Sequence, residues 1–188
     1  MKISYPLLLS AAGLTLMHGV IAADLSNDDQ RFLREAGEIS LLEQKASELA
    51  IEKHNHREVN RYASMILKDH GPAHKELEML AAAKGFELPT QLDRRSQNLM
   101  EDLHQLQDAG FDRQYADQVA VDAHEKAVDL YQSTASRSSD DEVKAFAEKR
   151  LPALEQHLKE GEELKKVVDA TRRNAEVAPI SPRAPATN

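Results

Sequence analysis

From Phe32 onward the apolar residues recur at three- and four-residue steps, the period of a helix with one buried face. Phe32, Ala36, Ile39, Glu43, Ala46 and Ala50 form one such seam, widened by Leu33, Leu42 and Leu49. With Ser26, Asn27 and Asp28 able to cap its free amides, this stripe predicts a first helix ending near Lys53. A charged residue, Glu43, falls inside its apolar face. The second stripe, Val59, Tyr62, Ala63, Ile66 and then Leu77 and Leu80, predicts a helix from about Glu58 to Lys84, with Gly85 as a left-handed C-cap. Asp69, His70 and His74 interrupt that stripe around Gly71-Pro72. The linker His54-Asn55-His56 is short, which makes the first two helices antiparallel neighbours, and its histidines are read as solvated.

A loop from Phe86 to Asp93 and a shorter helix from about Arg94 to Gln107 follow, a connection long enough to cross a bundle. A third helix is predicted from Phe111 to Ser136, with Phe111, Tyr115, Val119, Ala123, Ala127, Leu130 and Tyr131 inward. The fourth starts at Ser139 or Asp140 and runs to about Ala170, burying Val143, Phe146, Ala147, Leu151, Leu154, Leu158, Gly161 and Leu164. Glu142–Leu164 partly repeats Glu58–Leu80, including an interior proline, so the chain reads as two related helical hairpins. An interior proline lacks the amide its turn requires and crowds a carbonyl four residues back, so Pro72 and Pro152 each predict a bend or a restart. The fold class is all-α, a four-helix bundle.

The ends read differently. Lys2, an apolar run from Leu7 to Met17, and small residues before Asp24 have the layout of an export signal over residues 1–23, cleaved after Ala22 or Ala23. This reading places the protein in the periplasm or outside the cell. No later run is long and apolar enough to span a bilayer. Residues 24–170 form the bundle domain, and 171–188, with Pro179, Pro182 and Pro185 and little to bury, read as a disordered tail.

Composition narrows the chemistry. A formal charge of -8 with no basic cluster gives no footing for nucleic acid. The absence of cysteine removes disulfides, thiolate metal sites and a thiol nucleophile, so any metal must be held by histidine and carboxylate. No phosphate loop, Ser-His-Asp grouping or glycosidase acid pair is legible.

The successive segments FLREAGEISLLEQKASELA, EVNRYASMILKDH, LPTQLD, FDRQYADQVAVDAHEKAVDLY and EVKAFAEKRLPALEQHL resemble the motifs of the bacterial domain-of-unknown-function family 4142. The resemblance spans Asp28 to Leu164 and implies an exported, ferritin-like helical bundle of unknown activity. On it, Asp69-His70, His124-Glu125-Lys126 and His157 fall at recurrent motif positions, while Gly71-Pro72 and the polar turn Ser136–Asp141 depart from the pattern.

Glu43, His70, His124 and His157 place one ionisable residue on each long helix, beside apolar seams, and facing helices can bring such groups to one ion. The candidate metal ligands are therefore Glu43, His70, His74, His124, Glu125 and His157, with iron, manganese or zinc as the ion. The second and fourth long helices do not carry the Glu-x-x-His pairs of di-iron bundles: one has Asp69-His70 with His74, and in the other Glu155-x-His157 sets its side chains about 200° apart. Two readings stay open at this point. One is a non-enzymatic structural or interaction protein whose histidines pair with carboxylates and which works through a protein partner; the other is a ferritin-like metal binder or oxidase.

Overall fold

A computed structural model describes residues 25–53 and 56–177. The expected export signal, His54 and the last residues of the expected tail lie outside them. The described residues form helices α1 (Asn27–Lys53), α2 (Arg57–Ala83), α3 (Arg94–Gln105), α4 (Asp108–Tyr115), α5 (His124–Arg137) and α6 (Asp141–Val177). A π-helical segment, Ala116–Ala123, joins α4 to α5, so that these three make one long rod. With α1, α2 and α6 this rod gives four long helices in two hairpins, and α3 lies in the crossover, the all-α ferritin-like four-helix bundle. No helix among the described residues is long and apolar enough to cross a membrane.

The helix ends follow from their residues. Ser26 Oγ accepts the amide of Asp29 at 3.1 Å and donates to its Oδ2 at 2.7 Å, capping α1. His56 caps α2 by accepting the Glu58 amide on Nδ1 at 3.2 Å, a definite role in place of the solvated one expected. Gly85, at φ 68°, ends α2: its amide reaches the Ala82 carbonyl and that of Phe86 reaches Ala81, a Schellman motif. Asp140 Oδ1 caps α6 through the amides of Glu142 and Val143. Helix α6 continues to Val177, past the end near Ala170 that the sequence pattern gives.

The polar turn before α6 also has a partner. Asp29 is buried, and its carboxylate accepts from Ser138 Oγ at 2.6 Å and Ser139 Oγ at 3.4 Å as well as from Ser26. One carboxylate thus ties the start of α1 to the turn between α5 and α6. Asp29→Ala removes a cap partner and takes their acceptor from the half-buried hydroxyls of Ser26 and Ser138, so it should lower stability by about 1–2 kcal/mol. In urea denaturation the midpoint should fall with the slope unchanged; an unaltered midpoint would contradict this.

The expected restart at the interior prolines does not occur. Helices α2 and α6 run without interruption through Pro72 and Pro152. Both prolines are exposed, as are Lys68 and Glu148 four residues before them. The carbonyls that lose a partner therefore sit on solvated helix faces, where water can serve them.

The core divides into two apolar clusters. One contains Ala46, Leu49, Tyr62, Ile66, Phe111, Tyr115, Val119 and Leu164. The other contains Phe32, Ile39, Leu77, Ala127, Tyr131, Phe146 and Leu154. Along each of the four rods the chain passes from one cluster to the other at a buried polar residue: Glu43, His70, His124 and His157. These four form a polar layer across the middle of the bundle.

Candidate metal centre

Each member of the layer is fixed by its neighbours. His70 Nδ1 lies 2.8 Å from Glu43 Oε2, and His70 Nε2 lies 3.0 Å from His157 Nδ1. His157 Nε2 is 3.2 Å from Asp69 Oδ2, whose side chain is 45% exposed, so this line of hydrogen bonds runs from the interior to the surface. His124 Nδ1 is 3.1 Å from the Val119 carbonyl oxygen and 3.3 Å from Glu43 Oε1. Tyr62 donates to the carbonyls of His157 at 3.1 Å and Ala120 at 3.3 Å, and its hydroxyl is 3.5 Å from His124 Nδ1.

These partners assign the protons. A carbonyl or carboxylate oxygen can only accept, so His124 carries its proton on Nδ1, His157 on Nε2, and His70 donates from Nδ1 to Glu43. Burial disfavours the charged form of His124 and, reinforced by the nearby His70 charge, holds its pKa below the usual value. His157 is lowered in the same way, by burial and then by the charges of His70 and His124. Burial works against the His70 cation too, but the charge and hydrogen bond of Glu43, helped by Asp69, outweigh it and hold the pKa up. Burial likewise raises the Glu43 pKa, yet His124 and His70 together bring it below the ordinary carboxylate value. The layer therefore favours the charged forms of Glu43 and His70 toward each other and the neutral forms of His124 and His157, with one proton shared between His70 Nε2 and His157 Nδ1.

Two atoms in the layer have no hydrogen-bond partner although they are fully buried, His124 Nε2 and Glu43 Oε1. One ring nitrogen from each of His70, His124 and His157 lies within 4.8 Å of the others. Three imidazoles so placed, each held from its far side by an oxygen, have the form of a metal-ligand set with its supporting shell. His70 and His157 also line a cavity of about 310 Å³.

A model of the family described as "Domain of unknown function (DUF4142)" matches residues 17–164, most of the chain. The chain belongs to the DUF4142 family. No curated protein matches it. The crystal structure of a DUF305 fragment from Deinococcus radiodurans superposes with a TM-score of 0.64 at 13% identity, covering 79% of this chain and 99% of that one. At that identity the likeness concerns the fold.

Of the six residues proposed from the DUF4142 sequence, four meet in the layer and two do not. Glu125 follows His124 but is exposed, because adjacent helical positions point about 100° apart. His74 sits on the cavity wall with Nδ1 3.1 Å from Ser40 Oγ and Nε2 3.6 Å from Glu78 Oε1, away from the three converging imidazoles. Glu43 belongs to the layer, among the side chains that touch the histidines. It holds His70 through Nδ1 and faces Nδ1 of His124, orienting both rings.

Tyr62, Asp69 in its role toward His157, and the π segment are not identified by the sequence reading. The π segment does have a signal. Phe111, Tyr115, Val119, Ala123, Ala127 and Tyr131 keep a strict spacing of four, and each such step overshoots an α-helical face by roughly 40°. A stretch of wider, i→i+5 turns takes up part of that drift and lets all six remain inward. It also frees backbone carbonyls for side chains: that of Val119 accepts from His124 Nδ1 and that of Ala120 from the Tyr62 hydroxyl.

Proposed function

We propose that this bundle binds one transition-metal ion through His70, His124 and His157, with Glu43 and Asp69 orienting the rings from behind. The observation that carries the reading is the convergence of one nitrogen from each of three buried imidazoles, beside the fact that His124 Nε2 is buried without a partner. The nitrogens available once the shared proton leaves are His70 Nε2, His124 Nε2 and His157 Nδ1. The His70–His157 separation of 3.0 Å is near the ~3.3 Å edge of a tetrahedron with ~2.0–2.1 Å metal–nitrogen bonds. An all-imidazole donor set narrows the ions considered from the sequence: zinc suits it well, copper competes, and manganese, which prefers oxygen, fits poorly. Together with the export expectation, the function is metal binding in the periplasm or outside the cell, without an assigned reaction.

A second reading has a specific observation in its favour. The two short hydrogen bonds of His70 already join α1, α2 and α6, as a purely structural network would. That reading leaves His124 Nε2 buried and unexplained, at a desolvation cost of about 1–3 kcal/mol for such a group.

Calorimetric titration of the chelator-treated protein with zinc chloride separates the two. Metal binding requires one ion per chain, and His124→Ala should weaken it by about 100-fold or more, beyond what loss of an orienting residue does. Absence of stoichiometric binding, or binding that His124→Ala leaves unchanged, would favour the structural network.

A further inference from the structure

The cavity beside the layer has features that metal binding does not use. Its wall is apolar, built by Ala36, Ile39, Leu77, Ala127 and Leu154 from all four rods; Lys68 and Arg150 bring positive charge to its lining, and the two carboxylates there, Glu43 and Asp69, are already engaged by His70 and His157. Arg150 carries the stronger indication. Its Nη2 pairs with Glu76 Oε2 at 2.6 Å, but the same carboxylate oxygen also serves Lys149 at 2.9 Å, so one negative charge faces two positive ones. Arg150 Nε is buried with no hydrogen-bond partner. A buried guanidinium donor is seldom left unfilled, and its natural acceptor is a carboxylate.

We propose that this cavity binds a small monocarboxylate with an apolar body, its head accepting from Arg150 and its body lying against the Ile39, Leu77 and Leu154 wall. The volume of about 310 Å³ is at the low end for ligand pockets and, at about 30 Å³ for each water-sized group, admits roughly ten non-hydrogen atoms. That is the size of a six- to eight-carbon acid. A cationic amphiphile of equal length would face Arg150 and Lys68 unfavourably, and a neutral one would leave two cations sharing the single Glu76 oxygen. The site requires no metal ion, so it stands or falls separately from the three histidines.

The test uses chelator-treated full-length protein and ligand-observed NMR with hexanoate, 1-hexanol and hexylammonium. Hexanoate should bind with a dissociation constant of about 1 mM or below, a modest efficiency for so few atoms. The alcohol should bind about tenfold more weakly, as expected for loss of a charged hydrogen bond, and the amine more weakly still. Arg150→Met should reduce hexanoate to the level of the alcohol, and Ala127→Leu, which fills the cavity, should weaken both. Equal binding of acid and alcohol, insensitivity to Arg150→Met, or no binding of hexanoate would each overturn the proposal. So would hexanoate binding that appears only after zinc is added, which would put the head group on the ion. Zinc titration of the same sample reports on the histidines independently.

Discussion

Glu43→Ala should destabilise the bundle by about 3 kcal/mol. Glu43 is 1% exposed and faces two buried imidazoles, and on one of them, His70, it favours the charged form. Breaking a buried pair by removing one partner costs about 3–5 kcal/mol, since the other charge is left without compensation. Here the loss belongs at the low end of that range. Once Glu43 is gone the largest influence supporting the His70 cation goes with it, and the ring can shed its proton. What remains is a cavity in the seam of α1, a His70 Nδ1–H without its acceptor, and His124 held only by Val119 and Tyr62. Glu43→Gln keeps the volume and one acceptor, so it should cost about half as much. Urea denaturation at neutral pH reads both. A Glu43→Ala midpoint equal to wild type would mean that the layer does not depend on its carboxylate.

Gly161→Ala should cost a net 2–3 kcal/mol, although alanine is the better helix former. The favourable term is small, about 0.5–1 kcal/mol for replacing glycine inside a helix. Against it, a Cβ on Gly161 would lie 2.1 Å from the Ala120 carbonyl oxygen and 2.7 Å from its carbon, both main-chain atoms of the π segment. No rotamer change can relieve that contact, so α6 and the π segment must separate. Overpacking a core typically costs 1–3 kcal/mol, and a clash of backbone with backbone belongs at or above the top of that range. The disturbance is not confined to position 161. Ala120 accepts from Tyr62, and Tyr62 also donates to the His157 carbonyl, so moving the π segment loosens the polar layer four residues away along α6. Thermal unfolding of Gly161→Ala alongside Gly71→Ala makes the comparison internal. Gly71 has nothing within 4 Å of an added Cβ and should gain slightly, whereas Gly161 should lose heavily.

The architecture was legible because it rests on periodicity. The seam of α1 is buried at every position read from the sequence, from Phe32 to Ala50, with Glu43 among them. The capping residues, the left-handed Gly85 and the crossover helix follow from local chemistry in the same way. The candidate site was legible to the extent that it is one ionisable residue per apolar seam. Its assignment of roles was not, because those depend on which ring nitrogen meets which oxygen across helices: Glu43 with His70 and His124, Asp69 with His157. The prolines misled for a related reason. Local rules give the penalty of an interior proline, but only tertiary placement shows that Pro72 and Pro152 sit on exposed faces where the freed carbonyls remain hydrated. The polar turn Ser136–Asp141, which has no evident purpose in one dimension, meets Asp29 from the far end of the chain.

On the proposed function, the imidazoles of the midplane layer hold an ion. Anomalous diffraction at the zinc absorption edge, from crystals of protein loaded with one equivalent of zinc, tests it most directly. A single strong peak is expected, enclosed by His70, His124 and His157 at about 2.0–2.1 Å from a nitrogen of each, with Glu43 and Asp69 on the far nitrogens rather than on the ion. A peak at His74 and Glu78 on the surface, or none in the layer, would contradict it.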